Sequence, residues 1–90
     1  MKKAIITVVG RDSVGIIARV CTLLSENKIN IEDISQTIVG GYFNMMMVVD
    51  MSQCAKVFTE MAAELERLGA AIGVVINCQR EEIFESMHRL

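Results

Sequence analysis

The amino-acid sequence predicts an α+β sandwich: a four-stranded antiparallel sheet with helices on one face, in the order βαββαβ. Three observations predict it. Residues 4–9 and 42–49 are runs of β-branched, Met and aromatic side chains, apolar on both faces apart from Asn44, and so suit central strands. Two other segments carry apolar residues three and four apart, the spacing of one helical face. Gly40-Gly41 is a two-residue link that tolerates positive φ at both positions, a strong hairpin signal.

In chain order, the first strand (residues 4–9) stops at Gly10. Arg11-Asp12-Ser13 is a polar turn in which Asp12 or Ser13 suits the N-cap of the next helix. That helix covers residues 14–27, with Ile17, Val20, Cys21 and Leu24 as its stripe and Asn27-Lys28 as its stop. The second strand runs from Ile29 to about Val39. Ile29, Ile31 and Asp33 point one way along it, Asn30, Glu32 and Ile34 the other. Such mixed polarity fits an edge strand. Tyr42 begins the return strand. Ser52 is the expected N-cap of a second helix whose stripe is Cys54, Phe58, Met61, Ala62, Leu65 and Leu68, with Gly69 as its C-cap. Residues 70–78 form the fourth strand and residues 81–90 a short terminal helix. Two βαβ-like halves joined by a tight turn make a ferredoxin-like sandwich.

Composition narrows the function. Ninety residues, 52% hydrophobic and 22% charged with no proline, describe one domain over 1–90, its core spanning about 3–79. A net charge of -2 gives no electrostatic reason to expect nucleic acid or an anionic membrane as partner. An RNA-reading sheet of this topology needs aromatic platforms, yet Tyr42 and Phe43 point to opposite faces and the first strand has no aromatic. Cys21, Cys54 and Cys78 form no CxxC pair, so they read as buried thiols of a reducing compartment rather than as a disulfide scaffold or zinc site. The apolar run after Met1-Lys2-Lys3 is too short to span a bilayer and lacks a cleavage site, which points to the cytoplasm.

No catalytic pair, metal-ligand set or cofactor motif emerges. His88 is the only histidine and reads as a solvated terminal side chain. Glu32 and Asp33 are neighbours on opposite sides of a strand, a poor acid/base pair. Ile5, Val9, Met46, Val48 and Val75 are out of phase with Ile6, Val8, Met45, Met47 and Val74, so the face away from the helices keeps large apolar groups. A wet patch of that kind, together with the edge strand, predicts a homodimer.

The segment Gly10-Arg11-Asp12-Ser13-Val14-Gly15-Ile16 joins a central strand to a helix start. Backbone N–H groups without intrahelical partners and the positive end of the helix dipole suit a small carboxylate or phosphate there. Gly15 lets a ligand or a neighbouring chain approach the backbone. Residues 10–18, followed by Asn27-Lys28-Ile29-Asn30-Ile31, Ile34-Ser35-Gln36-Thr37 and Tyr42-Phe43-Asn44-Met45-Met46, resemble ACT domains. Within them, the chain is similar to a small stand-alone family related to the glycine-cleavage-system repressor type. The resemblance implies an amino-acid effector held by Arg11, Asp12, Ser13, Val14, Gly15 and Ile16, facing Asn30 and Ile31 across a subunit interface. Val14 stands where the family commonly has proline. With no enzyme fused to it, such a module regulates another protein in trans; a ligand-free dimerisation adaptor is the alternative.

Overall fold

The computed structural model describes residues 2–11 and 13–82. Its elements are β1 (Lys3–Arg11), α1 (Ile16–Glu26), β2 (Asn30–Val39), β3 (Tyr42–Asp50), α2 (Phe58–Ile72) and β4 (Val74–Arg80). The sheet order is β2-β3-β1-β4 with every neighbouring pair antiparallel. The doubly apolar strands are therefore the central ones, and the architecture is the predicted ferredoxin-like βαββαβ sandwich. Alternation along these strands sends Ile6, Val8, Met45, Met47, Val49 and Ile76 into one core with Val20 and Leu24 of α1 and Met61 and Leu65 of α2, each at most 3% exposed.

Several boundaries differ from the sequence expectations. Helix α1 begins at Ile16 rather than Val14, because Gly15 is its N-cap in the left-handed region (φ 90), and among the described residues no side chain caps it, Ser13 included. Asp12, the other expected cap, lies outside the described residues. Helix α2 begins at Phe58, not after Ser52. The Ser52 amide and hydroxyl instead turn back onto the Asp50 carboxylate, 2.9 and 2.5 Å away, a local bond that competes with helix initiation. The same helix continues past Gly69 through residues 70–72, which the sequence reading gave to the fourth strand, and stops at Gly73 (φ 81).

Gly69 is thus a packing glycine. A Cβ there would lie 2.7 Å from the Val74 carbonyl oxygen, so only glycine lets α2 settle this closely on β4. In β2 a bulge between Ile31 and Asp33 shifts the register. It breaks the predicted alternation: Ile34, pairing with Met47, returns to the helix side, whereas Asp33 pairs with Val48 on the open face. The three thiols are half-buried rather than fully buried. Glu81 and Glu82 after β4 are helical; the rest of the expected terminal helix, with His88, lies outside the described residues.

Candidate effector site

The β1–α1 connection is short because β1 ends at Arg11 and α1 begins at Ile16. Arg11 lays its guanidinium over the ring of its cross-strand neighbour Tyr42, 5.9 Å from the centroid. Ser13 and Gly15 are exposed, Val14 is fully in solvent, and Ile16 is 3% exposed and anchors the helix start in the core. The first backbone bond of the helix runs from the Arg19 amide to the Gly15 carbonyl at 2.9 Å. The amides of Ile16, Ile17 and Ala18 precede it and have no acceptor within the helix. Among the described residues, none beyond its chain neighbours has an atom within 4 Å of where a Gly15 Cβ would stand. The loop therefore presents donors at the positive end of an eleven-residue helix beside open space.

Asn30 and Ile31 sit elsewhere. Asn30 is opposite Asp50 at one end of β3, whereas Arg11 is opposite Tyr42 at the other. Eight residues of β3 separate the two, roughly 27 Å at an antiparallel rise of about 3.4 Å per residue. One chain thus brings Arg11 and residues 13–16 together and Asn30 with Ile31 together, but not the two groups with each other; Asp12 lies outside the described residues.

Asn30 and Ile31 line a cleft of about 570 Å³ with Cys21, Leu24, Ser25, Lys28 and Ile29. The sequence reading did not place these five at a site. The available signal was the helix stop Asn27-Lys28, where Lys28 (φ 58) folds the chain back so that β2 starts against α1. Nearby, Lys3 and Glu32 form an ion pair at 2.9 Å; that bond, and then the charge of Glu32, raises the Lys3 pKa. The Ser52 hydroxyl, followed by the Ser52 amide, holds the Asp50 carboxyl below its ordinary range.

A second cavity of about 470 Å³ lies between the start of β1, the β3–α2 connection and the end of β4, with Lys3, Lys56, Phe58 and Arg80 in its wall. Of the four cations that line it, Lys2, Lys3, Lys56 and Arg80, the last three have partners. Lys56 reaches Glu64 at 2.5 Å, Lys3 holds Glu32, and Arg80 stacks on Phe58 at 4.6 Å. None of the predicted site residues lines it. Among the described residues no three His, Cys, Asp or Glu side chains gather where they would hold a metal ion, and no helix is long and apolar enough to cross a membrane.

Comparison with known proteins places this geometry. The family model described as ACT domain matches residues 2–79. A UPF0237 protein of Bifidobacterium longum is 64% identical over 90 residues, all of both chains. The solved structure of an ACT domain protein from Streptococcus pneumoniae superposes with a TM-score of 0.82 at 48% identity, covering 93% of this chain and 94% of that one. A putative glycine cleavage system transcriptional repressor gives a TM-score of 0.75 at 26% identity; 88% of this chain is covered, but only 45% of the repressor.

Proposed function

This chain belongs to the ACT domain family of small-molecule-binding regulatory modules, and from that premise we propose that it binds an amino acid and acts in trans as a homodimer. The observation that carries the reading is the start of α1, where among the described residues no side chain caps the amides, Gly15 stands at φ 90 and no side chain crowds it. An effector carboxylate accepts hydrogen bonds from the amides of residues 16–18. A helix N-terminus contributes at most about 2 kcal/mol to holding an anion, whereas even millimolar affinity corresponds to about 4 kcal/mol. A second group must supply the remainder. The partner's Asn30 is that group, its amide oxygen accepting from the effector ammonium, while the cleft beside Ile31 receives the side chain.

A ligand held this way favours whichever dimer arrangement brings both halves together, and only that difference in affinity transmits a signal to another protein. The likeness to a putative glycine cleavage system transcriptional repressor supports a regulatory role. Calorimetry of the full chain against the common amino acids tests the proposal. Binding heat should appear for one or a few of them. Gly15→Ala and Asn30→Ala should each weaken it at least tenfold, with circular dichroism unchanged. No heat at millimolar ligand overturns the proposal.

The exposed Val9, Val39, Tyr42 and Val75 favour a second reading, a ligand-free adaptor whose open sheet face docks a protein. In that case both variants keep their partner and calorimetry is silent.

A further inference from the structure

We infer that the cavity of about 470 Å³ between the start of β1, the β3–α2 connection and the end of β4 is a second binding site, one that takes the phosphate group of a small organic molecule. The site is separate from the effector site and uses none of its residues. Four of the chain's nine lysines and arginines, Lys2, Lys3, Lys56 and Arg80, line this one cavity. They converge on it from three segments far apart in sequence. Among the described residues only two carboxylates, Glu81 and Glu82, share the wall. The cavity thus gathers positive charge in a chain whose net charge is -2.

Existing contacts do not exhaust these donors. An ammonium carries three N–H groups and a guanidinium five. Lys3 and Lys56 each meet a single carboxylate oxygen, of Glu32 and Glu64, and so keep N–H groups for a ligand although the carboxylate offsets their charge. The unbalanced charge rests on Lys2 and Arg80, which form no ion pair among the described residues. Arg80 is held over the Phe58 ring, a contact that positions the guanidinium without consuming a donor. Helix α2 also starts on this cavity, since its N-cap Val57 and its first residue Phe58 both line the wall. Among the described residues no side chain caps it, and its first backbone bond runs from the Met61 amide to the Val57 carbonyl at 3.1 Å. The amides of Phe58, Thr59 and Glu60 have no acceptor within the helix and form the positive end of its dipole. The helix end adds to the site; the convergent cations define it.

Donors from a strand start, a loop, a strand end and a helix end approach one space from several directions. A carboxylate offers two oxygens in a single plane, whereas a phosphate ester offers three strong acceptor oxygens and close to two negative charges. The volume lies within the range of roughly 300–1,000 Å³ usual for ligand sites and exceeds what a bare phosphate fills. Met51, Val57 and Phe58 give the cavity an apolar wall for the group that the phosphate carries. Glu81 and Glu82 oppose an anion, so their removal strengthens binding; a site for an amine or a metal ion responds the opposite way.

The test is titration of the full chain with phenyl phosphate, inorganic phosphate and acetate at matched ionic strength, read by calorimetry and by backbone amide NMR shifts. Phenyl phosphate should bind and move the amides of Phe58, Thr59 and Glu60, inorganic phosphate should bind at least severalfold more weakly, and acetate should do neither. Lys2→Gln and Arg80→Gln should each weaken phenyl phosphate by about five- to tenfold. Glu81→Gln combined with Glu82→Gln should tighten it severalfold, a gain that damage to the fold does not produce. Arg67→Gln, which removes an exposed cation of α2 outside the cavity, should leave the affinity unchanged. Lys2→Gln decides if Arg80→Gln does not fold. No binding at millimolar phenyl phosphate overturns the inference, as does acetate binding equally well or Arg67→Gln weakening binding as much as Lys2→Gln. Inorganic phosphate binding as tightly as phenyl phosphate overturns the assignment to an organic ester.

Discussion

The two faces of the sheet are built from the same strands and nearly the same residue types, yet they differ sharply in burial. On the helix side Ile6, Val8, Met45, Met47 and Val74 are at most 7% exposed. One residue away on the opposite face, Val9, Met46 and Val75 are 46%, 42% and 62% exposed. Hydrophobicity alone does not assign a core position. What assigns it is the presence of α1 and α2 on one side, and both helices are committed to that side by their single apolar stripes. Ile5 cautions against reading the open face as uniformly wet, since it is 6% exposed between Val48 and Gln79.

The largest expected effect comes from the helix side. Met47→Ala empties a fully buried position and should cost about 2–5 kcal/mol in urea unfolding. Met46→Ala, next to it on the open face, should cost no more than about 1 kcal/mol. Equal losses would break the contrast between the faces. Gly69→Ala comes next. Alanine is favoured in helix interiors by about 1 kcal/mol, but its Cβ would meet the Val74 carbonyl, which belongs to the strand backbone and has no side-chain freedom to yield. We expect a net destabilisation of about 1–3 kcal/mol and a lower Tm; a stabilised variant would show that the helix layer is loosely seated.

The smallest effect concerns Cys78, which packs against the core from β4. Burial pushes its thiol up to about 11. The unfolded chain therefore ionises first, so folded stability falls as pH rises from about 9 towards 11. Iodoacetamide at pH 9 should accordingly modify Cys78 more slowly in the folded protein than in urea, read by peptide mass.

Much of the fold was legible because it rests on local patterns. The apolar runs of β1 and β3, the Gly40-Gly41 hairpin and the helical stripes each declare themselves within ten residues. The errors cluster where distant contacts decide. Gly69 looks like a helix stop, but its missing Cβ answers to Val74 and Ile76, and only packing distinguishes the two uses of glycine. Ser52 looks like a cap and is captured by Asp50 instead. The alternation of β2 fails at a bulge that appears only when the strand is laid against β3. The candidate site divides in the same way. The helix-start amides without intrahelical acceptors follow from the strand-to-helix sequence, whereas the cleft beside Asn30 needs Lys28 in a left-handed turn to exist.

By itself the sequence determined the order of the elements, which strands are central and the family to which the chain belongs, since each depends on residue pattern along the backbone. Only the tertiary structure decided where the helices begin and end, which face of each strand is dry, and that the start of α1 and Asn30 occupy opposite ends of one sheet. Those outcomes depend on backbone separations of a few ångströms between segments far apart in the chain, which no local pattern records.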